Sequence, residues 1–291
     1  MGHNGRPCSG DVFMIGPVPM LSVDTGFVFA LRQESVGILD RLKRSQTTSG
    51  NGWTFHTGKL GNAVVALVLS GAGQKNAEEA TRTLLDVFAP KLICSAGYAG
   101  GLSARLKQST LCVPEQIIRH SDRQALDVSK PIPQKSQPMP DKLTLLTVNN
   151  VVELPEQKRV LHEQIGAELV DMESFAVAEV CRIREVPFLS VRVVFDTVED
   201  RIPSDITHIL ESMNRGVSRL SGVLLGSIWS RPSIVRDFVS LKRRAFTATE
   251  RLARFTVAEL SRRQTADRKP QIADDSSATI TNSCSRDAHQ R

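Results

Sequence analysis

Four short segments of this chain place glycines or acids beside β-type runs, and these are the positions where it could do chemistry. Ser70-Gly71-Ala72-Gly73-Gln74-Lys75-Asn76-Ala77 follows an apolar run and opens a helical stretch, so its amides could approach an anion or a ribose. A dinucleotide site is not indicated. Asn76 replaces the third glycine, the motif follows the third strand rather than the first, and the next strand ends without an acid to hold a ribose. A tight strand-to-helix turn without a ligand is the plain alternative. Ser95-Ala96-Gly97-Tyr98-Ala99-Gly100-Gly101-Leu102 reads as a second glycine turn after the neighbouring strand, and two such turns would face one crevice of an open α/β sheet. Asp171-Met172-Glu173-Ser174 marks a strand-to-helix passage, and Val194-Phe195-Asp196-Thr197 lies just beyond a β-rich run. Taken singly, an Asp at a helix start is most often a cap, and a first-turn Glu can simply complement the helix dipole.

The elements that must position these groups alternate in type along the chain. Apolar β-type runs are expected over Phe27 to Leu31, Trp53 to His56, Ala63 to Ser70, Leu92 to Ser95, Thr110 to Val113, Leu143 to Val148, Glu168 to Val170 and Phe188 to Phe195. Helical spacing covers Gln33 to Leu42, Asn76 to Phe88, Glu156 to Ile165 and Met172 to Arg184. The alternation predicts an α/β fold: a single three-layer domain whose central mixed sheet is flanked by helices. Ser121 to Asp141, rich in Gln, Ser, Pro and Lys, reads as a surface loop.

Composition narrows the class. The 291 residues are 41% hydrophobic and 23% charged, which suits an ordinary globular domain and argues against a collagen-like repeat or a disulfide scaffold. The apolar run Ala63 to Leu69 is far short of the ~20 residues of a membrane-spanning helix. Five widely spaced cysteines without a CxxC or Cys/His cluster fit a reducing cytoplasm, with no metal and no cofactor expected. Nine Lys and Arg against three acids between Arg231 and Arg263 carry the whole net charge of +6, so the rest is neutral in sum. The expected organisation is a loose N-terminal extension over 1–26, a catalytic domain over 27–230, a basic amphipathic helical extension over 231–263 and a disordered tail over 264–291.

In order along the chain, Phe29-Ala30-Leu31-Arg32-Gln33-Glu34, Ser70-Gly71-Ala72-Gly73, Gly97-Tyr98-Ala99-Gly100-Gly101-Leu102, Val170-Asp171-Met172-Glu173-Ser174 and Val186-Pro187-Phe188 through Val191-Arg192-Val193-Val194-Phe195-Asp196 resemble the nucleoside phosphorylase/nucleosidase superfamily. Within it, the methylthioadenosine/S-adenosylhomocysteine nucleosidases are the most similar. The resemblance implies hydrolysis of the N-glycosidic bond of an adenine nucleoside, and a homodimer or larger assembly. Asp196 would be the general acid on the purine nitrogen N7, a role that needs a raised pKa. Glu173 would accept hydrogen bonds from the ribose 2′- and 3′-hydroxyls. Met172 would pack on the sugar, and Glu34 would activate the attacking water. Tyr98, Ala99, Gly100, Val151, Val152 and Phe195 would complete the substrate pocket.

Departures from the pattern bear on substrate range. Tyr98 stands where relatives carry a small Ser, Val151 stands where the purine usually stacks on Phe, and Phe195 replaces a Ser. The early Gly-Asp-Pro-x-Arg signature of bacterial phosphorylases is absent, although Arg32 keeps a phosphate ligand and hence phosphorolysis open. A nucleoside-binding relative with weakened turnover is the other alternative.

Beyond these blocks, Ile206 to Trp229 reads as a helix, Arg231-Pro232-Ser233 as a break with Ser233 as N-cap, and Ile234 onward as a second helix. Ile234, Phe238, Leu241, Ala245, Ala248, Leu252 and Phe255 form its apolar stripe. Packing on the domain or on a second subunit is the first reading. Contact with an anionic membrane surface through 231–263 is the second, and nucleic acid is the least suited, for want of stacking aromatics. Trp229-Ser230-Arg231-Pro232 and the helix after it resemble the extension of hopanoid-associated members of the superfamily. A bulky 5′ lipid substituent would give such an enzyme a reason to meet a membrane.

Overall fold

Apolar runs that lie in the middle of a sheet are covered on both faces, and this chain builds around two of them. The computed structural model describes residues 21–128, 142–202 and 233–268. Its elements are β1 (Leu21–Val23), β2 (Thr25–Phe29), α1 (Arg32–Leu39), β3 (Lys43–Gly50), β4 (Trp53–Leu60), β5 (Ala63–Leu69), α2 (Gln74–Val87), β6 (Phe88–Pro90), β7 (Ile93–Gly101), β8 (Leu111–Cys112), β9 (Gln116–Arg119), β10 (Ala125–Asp127), β11 (Thr144–Thr147), α3 (Pro155–Ile165), β12 (Leu169–Asp171), α4 (Ser174–Ile183), β13 (Phe188–Asp196) and α5 (Ser233–Arg268). The order β10-β9-β11-β12-β7-β2-β5-β4-β3 forms the main path of a mixed sheet, with β13 joined to both β7 and β8. β1 and β6 form a separate parallel pair.

β2 and β5 run parallel at the centre, and alternate side chains serve opposite faces. Phe27, Phe29, Val65 and Leu67 meet Ile38 of α1 and Leu252 and Phe255 of α5 on one side. Val28, Ala66 and Val68 meet Ala77 and Leu84 of α2 and Val177 of α4 on the other. The helices therefore cover both faces, as the alternation of elements predicts.

Three differences from the sequence reading have clear causes. Ser95 to Gly101 is not a turn: β7 continues through it, because its glycines leave room for side chains that lie against the strand (below). β1 and the start of β2 fall within the segment assigned to a loose extension, since Leu21–Val23 pairs with Phe88–Pro90 and Thr25 is buried. β3 is polar throughout and β10 is only three residues long, so neither gives a periodic signal, yet β3 pairs antiparallel with β4 and β10 pairs with β9. The helix expected over Ile206 to Trp229 lies outside the described residues.

The basic helical segment is part of the domain. α5 is one 36-residue helix that continues to Arg268, five residues into the expected tail. Ala248, Leu252 and Phe255 of the apolar stripe are buried, joined by Ala253 and Leu260. Gly37 lets α1 approach α5, since a Cβ there would come 2.8 Å from that of Ala253. Its arginines reach the domain too: Arg251 donates to the Ser109 carbonyl at 2.9 Å, and Arg244 faces Asp200 at 3.4 Å. The apolar stripe that a membrane surface would take is thus occupied by the sheet over this stretch, while Phe246 stays 70% exposed. No described helix is long and apolar enough to cross a membrane.

If α5 is a core element, Phe255→Ala will cost about 3 to 5 kcal/mol in denaturant unfolding. Arg254→Ala, at a side chain 76% exposed, will stay within about 0.5 kcal/mol.

Candidate active site

The carboxyl groups singled out by sequence collect along β7. Glu34 lies in the first turn of α1, where its Oε2 accepts the Leu31 amide at 2.8 Å in the manner of a capping box. Its Oε1 crosses to accept the Tyr98 amide at 2.8 Å. Gly97 makes this approach feasible, because a Cβ there would lie 2.7 Å from Glu34 Oε1. The same logic holds at Gly100, where a Cβ would lie 3.3 Å from Asp196 Oδ2. The glycines of this cluster therefore serve as seats for two carboxylates within a strand.

The first glycine turn also seats a carboxyl group, and that group belongs to the protein. Gly73 caps α2 with φ +95°, a left-handed conformation that favours glycine, and its amide donates to Glu173 Oε1 at 2.7 Å. Glu173 itself precedes α4 directly. Asp171 plays the capping role: its Oδ2 accepts the Ser174 amide at 3.0 Å.

Arg192, in the middle of β13, organises what lies between. Its Nη2 donates to Asp171 Oδ2 at 3.0 Å, to Ser95 Oγ at 2.7 Å and to Ser174 Oγ at 2.5 Å, while Nη1 donates to the Ser95 carbonyl at 2.9 Å. Arg192, Asp171, Ser95 and Ser174 are all buried, so this is a satisfied polar network rather than a surface pair. A cavity of about 10 Å³ opens beside it, lined by Glu34, Ser95, Tyr98, Glu173 and Arg192 among others, which is room for about one water molecule.

Burial sets the protonation of these acids. Desolvation raises the Glu34 carboxyl above the usual carboxylate range, against the two amides that favour its charged form. Desolvation, with the negative charge of Asp171 nearby, pushes Glu173 up to about 8. Glu173 as a whole residue is only half-buried, but its carboxyl group is the desolvated part. Asp196 is also raised by desolvation, opposed by the ammonium of Lys158.

The other residues expected to form a pocket lie on β7, at the end of β13 and in the segments that follow β11 and β12. Tyr98 and Phe195 stack with ring centroids 5.0 Å apart and planes at 27°. The Tyr98 hydroxyl, 2.7 Å from Thr249 Oγ1 and 3.3 Å from the Ala245 carbonyl, ties the site to α5. Ala99 is buried and Gly100 half-buried in β7. Val152 and Met172 pack against the cluster of Leu102, Leu146, Val148 and Val170. Val151 lies in the same connection between β11 and α3, which is joined to the segment after β13 through the Ile202 amide and the Glu153 carbonyl at 3.0 Å.

Sequence reasoning missed two residues. Arg192 carried a signal, a charged residue inside an otherwise apolar β run, which must find partners when buried. Lys158 carried none, because Glu156-Gln157-Lys158-Arg159 reads as a solvated helix face. The structure buries Lys158 completely against Asp196.

Comparison with known proteins bears on the fold and the family. A curated relative, the 5′-methylthioadenosine/S-adenosylhomocysteine nucleosidase of Pseudoalteromonas translucida, is 24% identical over 229 residues, covering 70% of this chain and 97% of its own. Among solved structures, the futalosine hydrolase of Helicobacter pylori superposes with a TM-score of 0.62 at 18% identity, covering 84% of this chain and 98% of its own. A 5′-methylthioadenosine/S-adenosylhomocysteine nucleosidase from S. pneumoniae, bound to a transition-state inhibitor, gives 0.62 at 17% identity, covering 82% and 98%. These structural likenesses show a shared fold. The family described as Phosphorylase superfamily matches residues 26–150 and 144–228, most of the chain, and the protein belongs to that superfamily.

Proposed function

We propose that the protein hydrolyses the N-glycosidic bond of an adenine nucleoside with a 5′ substituent, of the methylthioadenosine or S-adenosylhomocysteine kind or bulkier. The observation that carries this reading is that Glu34 and Glu173 share the wall of one cavity that admits a water, while Asp196 lies against Gly100 of the strand that lines it. The names of the relatives supply the substrate class.

Breaking the bond between C1′ and the purine sends its electron pair into the base and leaves positive charge on the sugar. Asp196, raised by burial, delivers a proton to N7, so the base departs neutral. Glu173 accepts hydrogen bonds from the vicinal hydroxyls and so holds the sugar in place. The water beside Glu34 attacks C1′ and gives its proton to the Glu34 carboxylate, whose raised pKa makes it a better base than an exposed Glu. Arg192 touches none of the reacting atoms in this scheme; it holds Asp171, Ser95 and Ser174 in place around them.

Hydrolysis is favoured over phosphorolysis because Glu34 stands on the wall of a cavity with room for one water, and the early Gly-Asp-Pro-x-Arg signature of bacterial phosphorylases is absent from the sequence. Tyr98, which replaces a smaller residue of relatives, lines that wall with its ring set against Phe195.

Purified protein should release free adenine from methylthioadenosine without added phosphate; strict phosphate dependence would sink the hydrolase reading. Asp196→Asn and Glu34→Gln should each lower kcat by roughly 10²- to 10⁴-fold. If wild-type protein cleaves nothing while a nucleoside raises its melting temperature, the binding-protein reading wins. Glu173 yields a pH prediction. Its proton is kept in the folded state up to about 8 but lost near 4.5 when unfolded, so the native state binds the extra proton in between. Its contribution to stability is full below that window and disappears as pH rises through it, so the pH dependence of melting temperature should flatten there in Glu173→Gln.

A further inference from the structure

The clearest feature that the reaction scheme leaves unused is Lys158, a lysine of α3 that is 0% exposed. Lysine is almost never fully buried without partners. Here the Nζ has three: Asp196 Oδ2, the Thr197 carbonyl at 2.8 Å and the Asp200 carbonyl at 2.8 Å. Three acceptors match the three N–H bonds of an ammonium group, whereas a neutral amine has only two. Two of the acceptors belong to the turn that follows Asp196. That turn is closed by the Asp200 carboxylate, whose Oδ2 accepts both the amide and the hydroxyl of Thr197 at 2.8 Å.

Stability alone does not account for such a pair. A buried ion pair is often no better for folding than apolar groups of similar size. Its position is the informative part. Lys158 holds one carboxylate oxygen of Asp196, and Oδ1 makes no hydrogen bond among the described residues.

We propose that Lys158 is a positioning residue for the glycosidic cleavage: it fixes the Asp196 carboxyl at the end of β13 and makes it readier to release its proton to the purine. This rests on Asp196 being the acid. When the proton passes from Asp196 to N7, the O–H bond breaks and an N–H bond forms. The carboxylate left behind faces the ammonium, which keeps its own three protons throughout. Desolvation works the other way, binding the proton more tightly. The remaining charged groups that act on Asp196 are Asp200 in the following turn, which opposes ionisation, and Arg244 of α5, which favours it. Of the two cations, only Lys158 is in contact with the carboxyl.

The test measures adenine release from methylthioadenosine over a pH series, using the full chain as wild type, Lys158→Met, Asp196→Asn and the double variant. Asp196 acts while protonated, so activity is full below its pKa and falls above it. Removing the cation makes the carboxyl harder to ionise, so the alkaline limb of kcat in Lys158→Met should move up by about 1 to 3 pH units. Its kcat should fall on the order of 10- to 100-fold, with KM little changed. In the Asp196→Asn background the same substitution should have no further effect on kcat. An unmoved limb, or an equal loss in both backgrounds, would overturn the proposal. Should Lys158→Met not fold, Lys158→Gln keeps a donor for the two carbonyls and carries the same measurement. Failure of both to fold, together with failure of the double variant, assigns Lys158 a structural role and overturns the proposal. A wild type that releases no adenine, or an Asp196→Asn variant with full activity, brings down the nucleosidase reading and this proposal with it. An impaired Asp196→Asn variant beside unaffected Lys158 variants brings down this proposal alone.

Discussion

Carboxyl groups taken out of water must be given hydrogen bonds, opposite charge or a proton, and this requirement governs the structure around β7. Each buried acid meets it differently. Asp171 is paired with Arg192 and with the amide that it caps. Glu34 receives two backbone amides, Glu173 receives one and keeps a proton, and Asp196 receives an ammonium. The result is a row of buried acids, each with a different set of partners, and acid and base chemistry on a single bond calls for carboxyl groups whose surroundings differ in this way.

The backbone is arranged to make that row feasible. Gly97 and Gly100 remove side chains from β7 where Glu34 and Asp196 need to lie, and the left-handed Gly73 turns an amide toward Glu173. These glycines face carboxylates of the protein itself. A glycine-rich stretch beside a strand is commonly read as a cradle for a phosphate, and here exposed amides meet carboxyl groups of the protein itself.

The long basic helix takes part in this arrangement. Burial of Ala248, Leu252 and Phe255 closes one face of the sheet, and Thr249 meets the hydroxyl of Tyr98 from the outer layer. Charge on its remaining faces is used partly within the domain, through Arg244 on Asp200 and Glu250 on Arg41 at 2.9 Å. A segment that carries the entire net charge in the sequence is thus a wall of the site in the fold.

Much was legible in the sequence because it rests on local pattern. Apolar runs of strand length, helical spacing and the order of five motif blocks suffice for an α/β domain with a mixed sheet, and for the three acids at its centre. Periodicity reports which side chains face a core, so it finds β2, β5 and α2, and misses β3, whose stability comes from pairing with β4. What only the tertiary structure decided is which charges meet. Lys158 and Asp196 are separated by 38 residues, Glu34 and Tyr98 by 64, and Gly73 and Glu173 by 100. Nothing in the residues near Lys158 distinguishes it from a solvated lysine. Its burial follows from where α3 crosses the end of β13, and a charge acquires its chemistry from the dielectric and the partners that such a crossing supplies.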